Sequence, residues 1–506
     1  MIVVFALVKL LFHLATSSGY GYFRDELYYL ACADHLAWGY VDQPPFSVLV
    51  LWLVHHTLGD SLLALRLVPA LLGAGTVALV GLSARALGGG RWAQALAMSA
   101  AMAAPVYLAL DHFYSMNAFD LFFWTLAAYL LIRLVTVEGR SLRLWLALGA
   151  VLGLGLENKI SVLWLGAGLA VGLLLTAERR WLATRGPWLA GGLAIALFAP
   201  YLLWESAHGW PTLEFMKNAT GSKMAKVAPL DFLANQAKIL LPLSLPLWLA
   251  GLGYLLLARE ARPFRLLAWL YLTPLAILAL SGSSRGAYLA PAYGWLFAAG
   301  SVALERWLGS PRLLRLRPAL LGLGVGLLLA GGALAAPLAM PVLPVETYLR
   351  YAKALGLAPE TEEKKELGAL GQFFADMHGW PEAVEAVAKA YQQLPPEERS
   401  RARIYAPNYG LAGAVDFFGP AHGLPPAISG HNNYWFWGPR GWDGEVLIVL
   451  GQTAEALGRS FEQVEAAGTI DCGLCMPYEN HRPIWICHRL RRPLASEVWP
   501  EVRHFE

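Results

Sequence analysis

The first 343 residues are dominated by about eleven apolar runs separated by short loops, and this alternation restricts the fold more than any other feature. About 20 apolar residues cross a bilayer as a helix. Inside hydrocarbon each backbone N–H and C=O must be satisfied within its own segment, so such runs can only be helical. They fall at 2–16, 61–86, 92–110, 118–135, 144–157, 160–176, 188–204, 236–257, 265–281, 287–305 and 319–338, with 144–176 also readable as one hairpin. A further stretch, 44–56, is apolar but short and interrupted, which predicts a helix lying along the interface. Charged residues make up 15% of the chain, against about a quarter in soluble domains. The net charge of +3 is small and scattered, which argues against nucleic acid as a partner. The first run lacks a basic flank and a small-x-small cleavage site, so it reads as a retained span rather than a signal peptide.

Basic residues set the orientation. With the N-terminus cytoplasmic, the inner loops carry Arg85 and Arg91, Arg140 and Arg143, Arg179, Arg180 and Arg185, then Arg259, Arg262 and Arg265, and finally Arg306, Arg312, Arg315 and Arg317. The opposite loops hold Arg24, Lys159 and Arg285 almost alone, beside a lysine group at Lys217, Lys223 and Lys226. The expectation is a multi-pass protein of the inner (plasma) membrane, with residue 25 and the tail outside.

From residue 344 charge rises and no further long apolar run occurs. This tail of about 160 residues is long enough to bury its own core. Segments 403–405, 445–450 and 483–487 read as strands, and 381–393 and 408–418 as helices, which predicts a small α/β domain. Cys472 and Cys475 have the C-x-x-C spacing of a zinc site, with Cys487, His481 and His488 nearby. No second C-x-x-C follows and the tail is expected outside the cytoplasm, so a disulfide is the favoured reading, with the partner of Cys475 undecided. The aromatic run Tyr434, Trp435, Phe436 and Trp437 suits either sugar stacking or packing against the membrane face.

The chemistry collects in the outer loops. The first of them, GYGYFRDELYYLACADHLAWGYVDQPPF over 19–46, sets Asp25 and Glu26 among aromatics that include Tyr28, and adds Asp42 before Pro44 and Pro45. Carboxylates at a membrane edge are costly to desolvate and need a reason to be there. A helix N-cap would account for Asp25, and an Asx-turn for Asp42. The second outer loop, DHFYSMNAFDLFFW, holds Asp111, His112, Tyr114, Asn117 and Asp120. Asp120 begins a span, where a bare dipole effect is the simpler alternative. Lys159 either snorkels to the interface or faces a phosphate, and Glu157 is placed to pair with it. Arg285 lies in SGSSRGAYLAPAYGW next to Tyr288, against the positive-inside bias, and suits a phosphate or an anionic headgroup. The loop over 205–238 is rich in Gly, Ser and Lys and reads as a flap.

The 19–46 stretch resembles the first extracytoplasmic loop of the polytopic GT-C glycosyltransferases. Within them it looks like the bacterial branch related to the protein O-mannosyltransferases and the lipid A aminoarabinose transferases (glycosyltransferase family 39-like). The resemblance implies an all-α membrane domain of GT-C type over 1–343, with its catalytic outer loop at 17–60, and a small extracytoplasmic α/β domain over 344–506. It further implies transfer of a sugar from a polyprenyl-phosphate carrier to an acceptor lipid, glycan or protein, with inversion at the anomeric carbon. Asp25 matches the family's catalytic base, with Glu26 as its neighbour for hydrogen bonding or metal contact, and Asp120 matches a second acid. Substrate binding then falls to Asp42, Tyr28, Asn117, Lys159, Arg285 and Tyr288. Some relatives carry Lys where this chain has Gln43, which puts one carrier contact in doubt. No cofactor is specified. A divalent metal stays open, because the wider class holds both metal-free and metal-dependent enzymes. The rival reading is a transporter or flippase of lipid-linked sugars, which would want repeated halves and polar residues within the spans.

Overall fold

A computed structural model describes all 506 residues. Every apolar run is helical. Helices α1 (Ile2–Thr16), α2 (Arg24–Ala33), α3 (Phe46–Leu58) and α4 (Leu62–Ala86) open the chain, and α5 (Arg91–Ala103), α6 (Pro105–Leu110), α7 (Met116–Thr136), α8 (Leu142–Leu156) and α9 (Val162–Leu175) follow. Then come α10 (Arg185–Ala207), α11 (Pro211–Asn218), α12 (Pro229–Ile239), α13 (Leu245–Leu257), α14 (Leu266–Leu280), α15 (Gly294–Leu308) and α16 (Arg317–Ala339). Six helices are long and apolar enough to cross a membrane, or up to eight if each of two bent pairs counts as one span. The expected run 92–110 breaks before Pro105, and 236–257 bends by 96° at Pro242. Proline cannot donate the helical hydrogen bond and collides with the preceding turn.

Glycine sets the spacing of several helix pairs. A Cβ at Gly300 of α15 would run into the Leu247 carbonyl of α13, and one at Gly251 of α13 into the Leu296 carbonyl. Small residues let backbones approach closely where lipid offers no hydrophobic drive for association. A charged pair is buried between the first helix and the loop before α7: Lys9 of α1 lies 2.8 Å from Asp111, both 1% exposed.

The tail forms a five-stranded mixed sheet in the order β2-β1-β3-β5-β4, built from β1 (Arg403–Tyr405), β2 (Ala427–Ile428), β3 (Val446–Leu450), β4 (Phe461–Ile470) and β5 (Arg482–Leu490). The short β2 and the polar, bulged β4 carry no apolar run and were not expected. Cys472 and Cys475 form a disulfide with each other, and Cys487 is free and buried on β5. One continuous core joins Leu27, Tyr28 and Leu30 of α2 to Val384, Leu411, Ile404 and Ile448 of the tail, so the change of composition near 344 is not a gap in packing. Replacing Gly300 with Val should lower the melting temperature, at a cost of about 1–3 kcal/mol from overpacking. Gly326→Ala, where nothing lies within 4 Å of the added methyl, should leave it unchanged; thermal unfolding in detergent checks both.

Candidate active site

The site is built from the start of α2. Glu26 accepts four hydrogen bonds: from Phe23 N at 2.8 Å, Tyr114 N at 2.9 Å, Arg66 Nε at 3.1 Å and Arg66 Nη2 at 3.0 Å. Arg66, on α4, also donates to the carbonyls of Ser17 at 2.6 Å, Gly19 at 3.3 Å and Gly21 at 2.8 Å. Both side chains are buried. Glu26, expected beside Asp25 as a catalytic acid or metal contact, is the anchor that pins the 19–46 stretch to the bundle. Its oxygens are already committed, so Asp25 and Glu26 do not fit a two-carboxylate metal site, and no group of three or more His, Cys, Asp or Glu is arranged around an ion.

Asp25 points the other way. Its side chain is 31% exposed, and only Oδ1 is engaged, by Tyr409 OH at 2.9 Å and Arg24 Nε at 3.4 Å. Asp42 accepts from Tyr28 OH at 3.0 Å and Asn432 Nδ2 at 3.2 Å. Burial pushes its carboxyl up to about 6, with the Asp25 charge adding to the effect and the Tyr28 bond opposing it.

Cations gather beside these acids. Arg285 Nη2 lies 2.6 Å from Glu363 Oε1, its Nε 3.9 Å from Glu362, and Gly286 N donates to Glu362 at 3.2 Å. Lys223, from the flap, is 4.0 Å from Glu363. Burial works against the Glu363 carboxylate, yet Lys223, Arg24 and Arg285 together hold it below its usual range. Lys223 also feels the charges of both Asp25 and Arg285.

A second cluster adjoins the first. Lys159 Nζ donates to Asn117 Oδ1 at 2.8 Å, lies 3.4 Å from Asp120, and sits 5.2 Å from the Tyr288 ring centroid. Ser161 donates to Asp120 at 2.8 Å. Lys159 therefore neither snorkels nor pairs with Glu157, whose Oε1 has no partner. Asp111 and His112 are buried rather than at a rim, the first paired with Lys9 and the second 5.8 Å, ring to ring, from His13. The sequence reading named Lys223 only as one of three flap lysines and missed Glu363, Tyr409 and Asn432. Those three residues lie in the tail, far along the chain, and nothing local marks them.

The chain is similar in fold to crystal structures of ArnT from Cupriavidus metallidurans. The TM-score is 0.63 for the apo state and 0.65 for the state bound to undecaprenyl phosphate, each at 16% identity and covering 96% of this chain and 97% of that one. Residues 42–204 match the family model described as dolichyl-phosphate-mannose-protein mannosyltransferase. The chain has the ArnT fold, and its match to the family model is confined to residues 42–204. The matched region holds Asp42, Asn117, Asp120 and Lys159 but stops short of Asp25 and Arg285. No curated protein sequence matches the chain. Arg66→Ala would leave Glu26 buried without its cationic partner. Such losses cost about 3–5 kcal/mol, so the variant should be poorly folded, as thermal unfolding and detergent-extracted yield will report.

Proposed function

We propose that the protein moves a sugar from a polyprenyl-phosphate carrier to an acceptor on the extracytoplasmic side, with Asp25 as general base and inversion at the anomeric carbon. The observation that carries this reading is the half-open Asp25 carboxylate, one oxygen free, beside a basic group made of Arg24, Lys223 and Arg285. A carboxylate so placed can take the proton of an acceptor hydroxyl as its oxygen attacks the anomeric carbon. The bond from that carbon to the carrier phosphate breaks on the opposite side, and the phosphate leaves with the electron pair. Fixed cations stabilise charge building on the departing oxygens. Arg285 and Lys223 are suited to that task, with Lys159 and Tyr288 next to them and Asp120 and Asn117 holding Lys159. Asp42 and Tyr28 are suited to sugar hydroxyls. The carrier is the class of molecule that ArnT is seen to bind in its undecaprenyl phosphate complex.

Glu363 and Glu362 occupy the anion-binding groups of Arg285 and Lys223, so a lipid phosphate has to displace carboxylates already seated there. Membranes of a strain deleted for the protein retain unused donor and acceptor. Adding purified protein to them should release polyprenyl phosphate, measured by mass spectrometry. Asp25→Asn should lower that release by at least about 100-fold with yield and melting unchanged, whereas a flippase would release none. Glu363→Gln should tighten binding of undecaprenyl phosphate about tenfold, equivalent to about 1.4 kcal/mol, and Arg285→Ala should weaken it, as read by ligand-dependent thermal shift.

A further inference from the structure

We propose that Tyr409, carried by the tail, is the positioning residue for the Asp25 carboxylate, so that the tail completes the active site instead of lying beside it. This rests on Asp25 being the base.

The placement is written in the segment 408–413, NYGLAG. Asn408 caps the Tyr409–Phe418 helix by accepting from Leu411 N at 3.0 Å, and its Nδ2 donates to Glu479 at 2.7 Å. Gly410 and Gly413, one turn apart, face α2. A Cβ at Gly410 would lie 2.6 Å from Arg24 Cγ, and one at Gly413 3.0 Å from the Leu27 backbone. The two helices can meet this closely only because both positions lack a side chain. That contact brings residue 409 against the first turn of α2, where Asp25 sits.

The Tyr409 ring is held on several sides. It packs at 4.6 Å on Tyr28 and 4.9 Å on His431, with the Arg24 guanidinium 5.5 Å from its centroid. Its hydroxyl makes one hydrogen bond, to Asp25 Oδ1. A buried phenol without a partner would be costly, and a phenylalanine would fill the same space, so the hydroxyl is matched to the carboxylate. Arg24 shares Oδ1 and is itself tied to Asp376 at 3.3 Å and Tyr478 OH at 3.0 Å. Oδ1 is held from two sides, which restrains the carboxyl, and Oδ2 of this part-exposed side chain has no hydrogen-bond partner in the protein. The tail grips the other loop acid in the same way. Asn432 donates to Asp42, and Asn433 Oδ1 accepts from Val41 N at 2.6 Å.

A hydroxyl donating to a carboxylate favours its ionised form. Losing that donor should move the acidic limb of the rate profile to higher pH. The charges facing Asp25 are Arg24 on its own helix, Lys223 from the flap, Asp42 from the loop, and Asp376 in the tail. A change at residue 409 leaves all four in place.

The test uses the full-length protein on membranes of the deletion strain, with polyprenyl phosphate release followed over a pH series. Tyr409→Phe should slow release about 10- to 100-fold, shift the acidic limb upward, and leave undecaprenyl phosphate binding and melting as in the parent. If the Phe variant does not fold, 3,5-difluorotyrosine at 409 keeps the shape while strengthening the donor, and should shift the limb downward. Wild-type rates and an unmoved limb in either variant would overturn the proposal. So would a loss of rate that only parallels a loss of phosphate binding or of folded protein. The underlying reading fails separately, if the parent releases no polyprenyl phosphate or Asp25→Asn releases it at the parent's rate.

Discussion

The buried pair between Glu26 and Arg66 is the constraint on which the site depends. A carboxylate and a guanidinium out of water are tolerable only when their remaining hydrogen-bonding capacity is filled. Here it is filled by the backbone of the loop itself: Phe23 and Tyr114 donate to the acid, and the carbonyls of Ser17, Gly19 and Gly21 accept from the base. The pair thus fixes the end of α1 and the start of α2 through Arg66, and the approach to α7 through Glu26. Because Glu26 is turned inward and saturated, its neighbour Asp25 is turned outward on a helix start that cannot shift. Two adjacent acids of the same charge have opposite surroundings, set by which way the helix faces.

The surface around Asp25 separates its charges. Asp42 lies on the loop with no cation paired to it and Asp25 with Arg24 alone, while Lys223 and Arg285 close on a single carboxylate, Glu363. Cations around one buried anion suit a phosphate, and here the tail supplies the anion through Glu363. The strap over 360–365 that carries Glu363 is also bonded to the flap, through Ala225 N to the Glu362 carbonyl and Lys364 N to the Lys223 carbonyl. Flap, strap and the Arg285 segment therefore form one hydrogen-bonded unit, and a ligand that moves Glu363 acts on all three.

The tail is part of this arrangement through packing as well as charge. Its helix lies on α2 with glycines at the contact, its Asn432–Asn433 corner holds the loop after α2, and its core runs on into that of the loop. Composition changes sharply near residue 344 because the chain leaves the lipid, and that says nothing about where packing ends.

What the chain declares by itself follows from the solvent it meets. Runs such as 62–86 and 317–339 must be helical because hydrocarbon offers no partner for the backbone, and strands such as 403–405 and 446–450 show as apolar β-formers between turn residues. Asp25, Asp120, Lys159 and Arg285 stand out because an ion in or beside a bilayer needs a reason. Tertiary structure alone decided the rest. Sequence adjacency made Glu26 look like a partner of Asp25, whereas a contact forty residues away made it an anchor. Lys159 chose Asp120 and Asn117 over the nearer Glu157, and Tyr409, 384 positions along, reached the loop acid. Pairings of this kind depend on direction and distance in three dimensions, and residue type and local period carry neither.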